Sequence, residues 1–259
     1  EFALKNAHNA RVGQTGGELV DPGVTWVLDP GSLNPAIGPF LNPICSLRNE
    51  CNGLMSAIDS TLTITGSVVL CGGSNCRLGG SKTFNLQGDY IVSNCTAMSA
   101  IQTPITFSGD KVQVYSNANP RTESWGSITV DKTGGRLVLA SDFCVTNDAT
   151  CNYGYEHFYW TKGTIDLNGH DLCLGSYPHI KEDARAVIPA GSHLRIKGNI
   201  RNMATAIDIA SGASLAFQIP PGGQDEPMVQ VGATVPQKTF NLEVLPPVHA
   251  RAHIRLGHQ

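Results

Sequence analysis

The feature that most constrains this chain is a short alternating run that keeps returning at nearly equal intervals. "TLTITG" ends at Gly66, "TFNLQG" at Gly88, "PITFSG" at Gly109 and "SITVD" at Asp131, in steps of 22, 21 and 22 residues. Within each run apolar residues alternate with small polar ones, the period of a strand with one face buried. A repeat of this length lets each turn of the chain lay down two or three short strands and then stack on the turn before. The expected fold class is therefore all-β, a parallel β-solenoid. Further on, "TIDLNG" ends at Gly169, "HLRIKG" at Gly198, "AIDIASG" at Gly212 and "MVQVG" at Gly232. Their steps are less even, as insertions into turns would make them. A β-sandwich of two antiparallel sheets is the alternative, since it too is built from alternating strands. The near-equal spacing of the turns favours the solenoid. No apolar stripe at helical spacing occurs, so no helix is expected.

Residues 1–50 have a different texture. Prolines at positions 22, 30, 35, 39 and 43 are too many for a central strand and suggest an arm or cap. The domain reading is thus a Pro/Gly-rich N-terminal arm over 1–50, a solenoid over 51–245, and a C-terminal strand or tail over 246–259. Charged residues are 15% of the 259, and glycine occurs 28 times, a balance that suits strands and turns. The net charge of −3 gives no reason to expect nucleic acid as a partner. No apolar run approaches the ~20 residues of a membrane-spanning helix. The chain opens on Glu1-Phe2 without an initiator Met, as a secreted product would after trimming, or a short expression remnant.

Eight cysteines are present: Cys45, Cys51, Cys71, Cys76, Cys95, Cys144, Cys151 and Cys173. None form C-x-x-C, and no histidine sits at zinc-finger distance, so neither a metal nor a cofactor is expected. Three close pairs, Cys45/Cys51, Cys71/Cys76 and Cys144/Cys151, each enclose a polar or Gly-rich turn, as a disulfide clamping a loop would. Cys95 and Cys173 would then join across the fold, although spacing does not fix connectivity. Even, loop-clamping cysteines favour an oxidising compartment, hence an extracellular or cell-surface location. Asn94-Cys95-Thr96 is an N-x-S/T sequon and makes Asn94 a candidate glycosylation site.

"GTIDLNGHDLCLG" and "AVIPAGSHLRIKGNIRNMATAIDIASGASLAF" together resemble the repeats of secreted bacterial right-handed β-helices, such as autotransporter passengers and haemagglutinin-like adhesins. Both read as a strand, an Asn-Gly or Ala-Ser-Gly corner, and a further strand. The resemblance covers Thr161 to Phe217. It implies a right-handed β-helix and a structural or adhesive surface role. The eight cysteines depart from autotransporter passengers, which usually avoid them.

Many parallel β-helices cleave polysaccharides, so that chemistry needs testing. Arg195-Ile196-Lys197 resembles the substrate-binding "RIK" of polygalacturonases, and Asn168-Gly169-His170 faintly resembles their histidine motif. The paired carboxylates that such hydrolysis requires are absent, however. Asp166, Asp171, Glu182 and Asp183 are the nearest approach to a calcium cluster. Asp166 would project from a strand, Asp171 would begin the strand after a corner, and Glu182-Asp183 would lie in a loop. The loop spacing D-x-D-x-D-G does not occur. Asn168-Gly169 is a strong turn signal, so Asn168 to Asp171 is expected to be a corner with His170 exposed.

Two segments suggest contacts. "YGYEHFYW" supplies Tyr153, Tyr155, Phe158, Tyr159 and Trp160, either a contact patch or a cover over an open coil. In "VHARAHIRL", Val248, Ala250, Ala252, Ile254 and Leu256 alternate with His249, Arg251, His253 and Arg255, as in a strand that closes its own sheet or joins a neighbour's. The functional expectation is a non-enzymatic structural or adhesive surface protein that assembles with copies of itself into a filament or array. The alternative is a polysaccharide-active enzyme or glycan-binding module on the same scaffold.

Overall fold

A chain that returns to the same position every 21 or so residues stacks strands in parallel, because every connection must travel once around the coil. That is the architecture. A computed structural model describes residues 61–70, 82–93, 104–118, 126–145, 157–174 and 178–197 continuously, and individual strands elsewhere. Among the described residues every strand pair is parallel. Among the described residues the strands form sheets of fifteen, five and four, with no helix, and wind as a β-solenoid.

The register ties coil to coil. Phe84 pairs with Leu62 behind it and Ile105 ahead, and Ile105 pairs in turn with Ile128. Ile128 then pairs with Phe158. Beside this row runs a second, Ile64, Leu86, Phe107, Val130 and Trp160, each the partner of the next. All point inward and are buried. A third inward row runs Val68, Tyr90, Tyr115 and Leu139. Tyr90 stacks on Tyr115 with ring centroids 5.9 Å apart, and Tyr115 also stacks at 4.1 Å on Phe143, which comes from another sheet. The in-register pairing sets like beside like at Tyr90 and Tyr115.

Coil shape changes along the chain. In the early coils two short strands meet at a corner: Leu62–Ile64 then Val68–Leu70, and Ile105–Gly109 then Gln113–Asn117. From Ser127 on, the two fuse into one long bent strand: Ser127–Leu139, His157–Asp166 and His179–Ile188. The first half of Ser127–Leu139 pairs with Ile105–Gly109 and its second half with Gln113–Asn117. The bend survives as an irregular register between Asp131 and Arg136. Gly135 (φ 57°) and Gly163 (φ 91°) supply the left-handed backbone needed there. Glu182 and Asp183 lie within His179–Ile188, so the loop expected for them is replaced by strand.

A second sheet follows each bent strand, built from Phe143–Val145, Asp171–Leu174, His193–Lys197, Ser214–Gln218 and Asn241–Leu245. Strands Phe2–Leu4, Thr25–Leu28 and Ser46–Asn49, from the Pro-rich segment, belong to the long sheet. His253–Leu256 pairs in parallel with Met228–Val231 at its opposite edge.

Candidate functional site

The Asn168-Gly169 corner is where the chain leaves the long sheet for the second one. Asn168 takes φ 48° and Gly169 φ 90°, and the His170 N–H donates to Leu167 O at 2.8 Å. Two successive positive φ values make the tight turn that the dipeptide predicts. The Asn168 side chain donates to Leu139 O one coil back, and the Gly169 N–H donates forward to Ser192 Oγ. His170 is half-buried rather than exposed, with Nδ1 3.7 Å from Asp142 Oδ1. The corner reading holds, and its polar groups serve coil stacking.

Next to the corner, one residue per coil opens the second sheet: Asp142, Asp171, His193. The Asp171 N–H donates to Asp142 Oδ1 at 3.0 Å, and the His193 N–H donates to Asp171 Oδ1 at 3.2 Å. Each carboxylate thus caps the backbone of the coil that follows. Asp171 does more. His193 Nδ1 lies 2.6 Å from its Oδ1, and Arg195 reaches its Oδ2 at 3.0 Å. A carboxylate only accepts, so His193 carries its proton on Nδ1 when neutral and keeps Nε2 as an acceptor. The guanidinium Nε of Arg195 is buried, with no partner among the described residues. This His–Asp–Arg cluster is partly solvent-facing.

Chemically the cluster can orient an imidazole and present it to a polar ligand. The Asp171 carboxylate is committed to His193 and Arg195, and Asp142 of the preceding coil holds the Asp171 N–H. Asp166 does not join it. Instead of projecting, Asp166 is nearly buried, bound to Arg136 at 3.1 Å and accepting the Asn168 N–H. Among the described residues no group of histidine, cysteine, aspartate and glutamate could hold a metal ion.

Inside the solenoid lies a polar chain that the sequence did not suggest. Gln113 is fully buried and donates through Nε2 to Leu86 O and Gly88 O at 2.9 and 2.8 Å. Its Oε1 accepts from Lys132 Nζ at 2.6 Å, and Lys132 also donates to Ser108 O. Burial of the ammonium pushes the Lys132 pKa down from 10.5 to about 8, against the opposing charge of Asp110. In sequence, Lys132 follows the end of "SITVD" and nothing marks it as buried. Only the fused strand carries it inward.

The aromatic segment divides by strand parity. Phe158 and Trp160 face the core, with Trp160 Nε1–H donating to Gly163 O at 2.9 Å. Tyr159 faces outward and stacks on His179 of the next coil, centroids 4.9 Å apart and planes 10° from parallel. Tyr153 and Tyr155 lie outside the described residues, as do Asn94, Val248, Ala250 and Ala252. Ile254 and Leu256 lie in the edge strand His253–Leu256.

Of the cysteines, Cys45, Cys51, Cys71, Cys76, Cys95 and Cys151 are outside the described residues. Cys144 and Cys173 are buried register partners on adjacent coils, and no disulfide forms among the described residues. Each of the expected pairings, Cys45/Cys51, Cys71/Cys76, Cys144/Cys151 and Cys95/Cys173, includes a cysteine that lies outside the described residues. No helix among the described residues is long and apolar enough to cross a membrane.

The fold and its polar exterior define an all-β, parallel β-solenoid. Comparison with known protein families, with characterised proteins and with solved structures finds nothing that matches this chain.

Proposed function

We propose that the chain is a non-enzymatic structural or adhesive subunit that works at the cell surface or outside the cell. The observation that carries this reading is how the exterior polar groups are used. Asn85 donates to Thr63 and accepts from Ser108, one coil to either side. Thr161 reaches Val130 O and Asp131, and Asp142, Asp171 and His193 form the capping series described above. Such ladders stiffen a rod and leave little chemistry over for catalysis. Right-handed winding fits the strong chiral preference of parallel crossover connections.

The same architecture supports a reading of self-association. The outermost strands of the long sheet, Phe2–Leu4 and His253–Leu256, pair on one side only among the described residues. An open parallel edge is a template for another strand. Negative-stain electron microscopy of the chain beside an Ile254→Asp/Leu256→Asp variant tests this. Rods or arrays lost in the variant are expected; single particles of uniform size in both samples rule the assembly out.

One observation favours a second reading, a glycan-binding module. The outward Tyr159–His179 stack lies on the face opposite the buried Trp160, and aromatic faces pack against sugar rings. Binding to a polysaccharide panel that disappears in Tyr159→Ala, with the fold intact, would favour it.

A further inference from the structure

Strand alternation puts Cys144 and Cys173 in one outward row of the second sheet. Phe143 and Val145 on one coil, and Leu172 and Leu174 on the next, point inward and are fully buried. The cysteine between each pair points the other way. The two cysteines lie just beneath the surface, at 7% and 4% exposure, and are register partners in a parallel pair. Neighbouring strands run about 4.8 Å apart, within the roughly 4.4–6.8 Å separation of Cα atoms that a disulfide spans. A disulfide also needs the two Cβ atoms roughly 3.5–4.5 Å apart, so the strands must draw slightly together here as the side chains rotate.

We propose that Cys144 and Cys173 are a redox-closed pair, a disulfide that staples two consecutive coils when the protein meets a low-molecular-weight disulfide. The thiolate of one cysteine attacks the oxidant's S–S bond, giving a mixed disulfide and expelling one small thiolate. The second cysteine's thiolate then attacks the protein sulfur of that mixed disulfide, forming the Cys144–Cys173 bond and expelling the second small thiolate. The cysteines lose two protons and two electrons, and the oxidant takes up both. This pairing differs from the one that spacing suggests, Cys144 with Cys151 and Cys95 with Cys173. Its basis is register, which makes the two residues partners on adjacent strands. The staple would close a whole coil, including residues 146–156, and a longer closed loop constrains the unfolded chain more.

The test uses the folded full chain, incubated with oxidised glutathione, quenched with N-ethylmaleimide and digested without reduction by an Asp-specific protease. Cleavage before Asp148 separates Cys144 from Cys151. The expected product is a linked peptide containing Cys144 and Cys173, two hydrogens lighter than the paired thiol peptides. The unfolding midpoint should rise by several degrees on oxidation and fall back on reduction. Cys144 joined to Cys151, Cys173 joined to Cys95, or both thiols recovered as maleimide or glutathione adducts would each overturn the proposal. In Cys173→Ala, Cys144 should accumulate a lasting glutathione adduct, because the resolving thiol is gone. An unmodified Cys144 in that variant counts against a pair open to small disulfides.

Discussion

Lys132 Nζ lies 2.6 Å from Gln113 Oε1 inside the solenoid, where one coil's lysine completes the hydrogen bonding of the previous coil's glutamine. Gln113 is itself anchored to the backbone of the coil before, at Leu86 and Gly88. Three successive coils are thus joined by one buried polar chain running along the solenoid axis. A buried amide or ammonium left without partners is costly, so the three coils must be in register for the chain to close.

The lysine makes stability depend on pH. Its pKa is lowered to about 8 in the folded protein against 10.5 when unperturbed, with desolvation the larger cause and Asp110 opposing it. Below the folded pKa both states hold the proton, and the fold bears the cost of a buried ammonium. Between about 8 and 10.5 the unfolded chain binds more protons than the folded one, so stability rises with pH. Urea midpoints across that window should increase, by at most about 3 kcal/mol in free energy. In Lys132→Met this rise should vanish; a variant that keeps it would show that another group is responsible.

Gly163 and Gly169 share nearly the same φ, 91° and 90°, but not the same surroundings. A Cβ at Gly163 would sit 2.6 Å from Lys132 Cβ, whereas one at Gly169 meets nothing within 4 Å. Gly169→Ala should therefore cost only the left-handed backbone penalty, about 1–2 kcal/mol. Gly163→Ala adds a clash with the buried lysine's stem and should cost at least about 2 kcal/mol more than its partner, in line with overpacking elsewhere. Equal losses in urea denaturation would mean that the corner can yield.

Much of this fold was legible in the sequence, and the residues show why. The Gly66, Gly88, Gly109 spacing reflects coil length directly, since each turn must span the same cross-section. Asn168-Gly169 announced its corner because few other residues adopt its backbone. Glu182-Asp183 read as a loop because adjacent acids are commonly solvated, and Lys132 carries no sign of burial in the sequence, since strand fusion at the bend is set by packing between coils. The site was less legible. Phe158 and Trp160 were grouped with Tyr159 by composition, although their two-residue spacing already placed them on the opposite face. His193 and Asp171 come together only through register, 22 positions apart.

Tyr115 stacks on Phe143 with ring centroids 4.1 Å apart, and Phe107 meets the same ring edge-on at 6.2 Å. Phe143 therefore joins the two sheets through a shared layer. Phe143→Ala should cost about 3–5 kcal/mol, the range for truncating a buried aromatic. Phe143→Leu, which keeps most of the volume, should lose markedly less. Comparable losses in the two variants would show that ring stacking outweighs volume in this layer.

The capping series predicts coupling between coils. Asp142 holds the Asp171 N–H, and Asp171 holds both the N–H and the ring of His193. Removing Asp171 also strands Arg195, so Asp171→Ala should cost more than Asp142→Ala: about 1–3 kcal/mol against roughly 1. His170 contributes only a 3.7 Å approach to Asp142 from a half-exposed position, and His170→Ala should stay within about 0.5 kcal/mol of the parent. In the double variant Asp142→Ala/Asp171→Ala, losses should fall short of the sum by about 0.5 kcal/mol or more, because the Asp171 backbone is already loosened once its cap is gone. Strict additivity in denaturant titrations would mean that each cap acts alone and that the series is three local turns rather than one ladder.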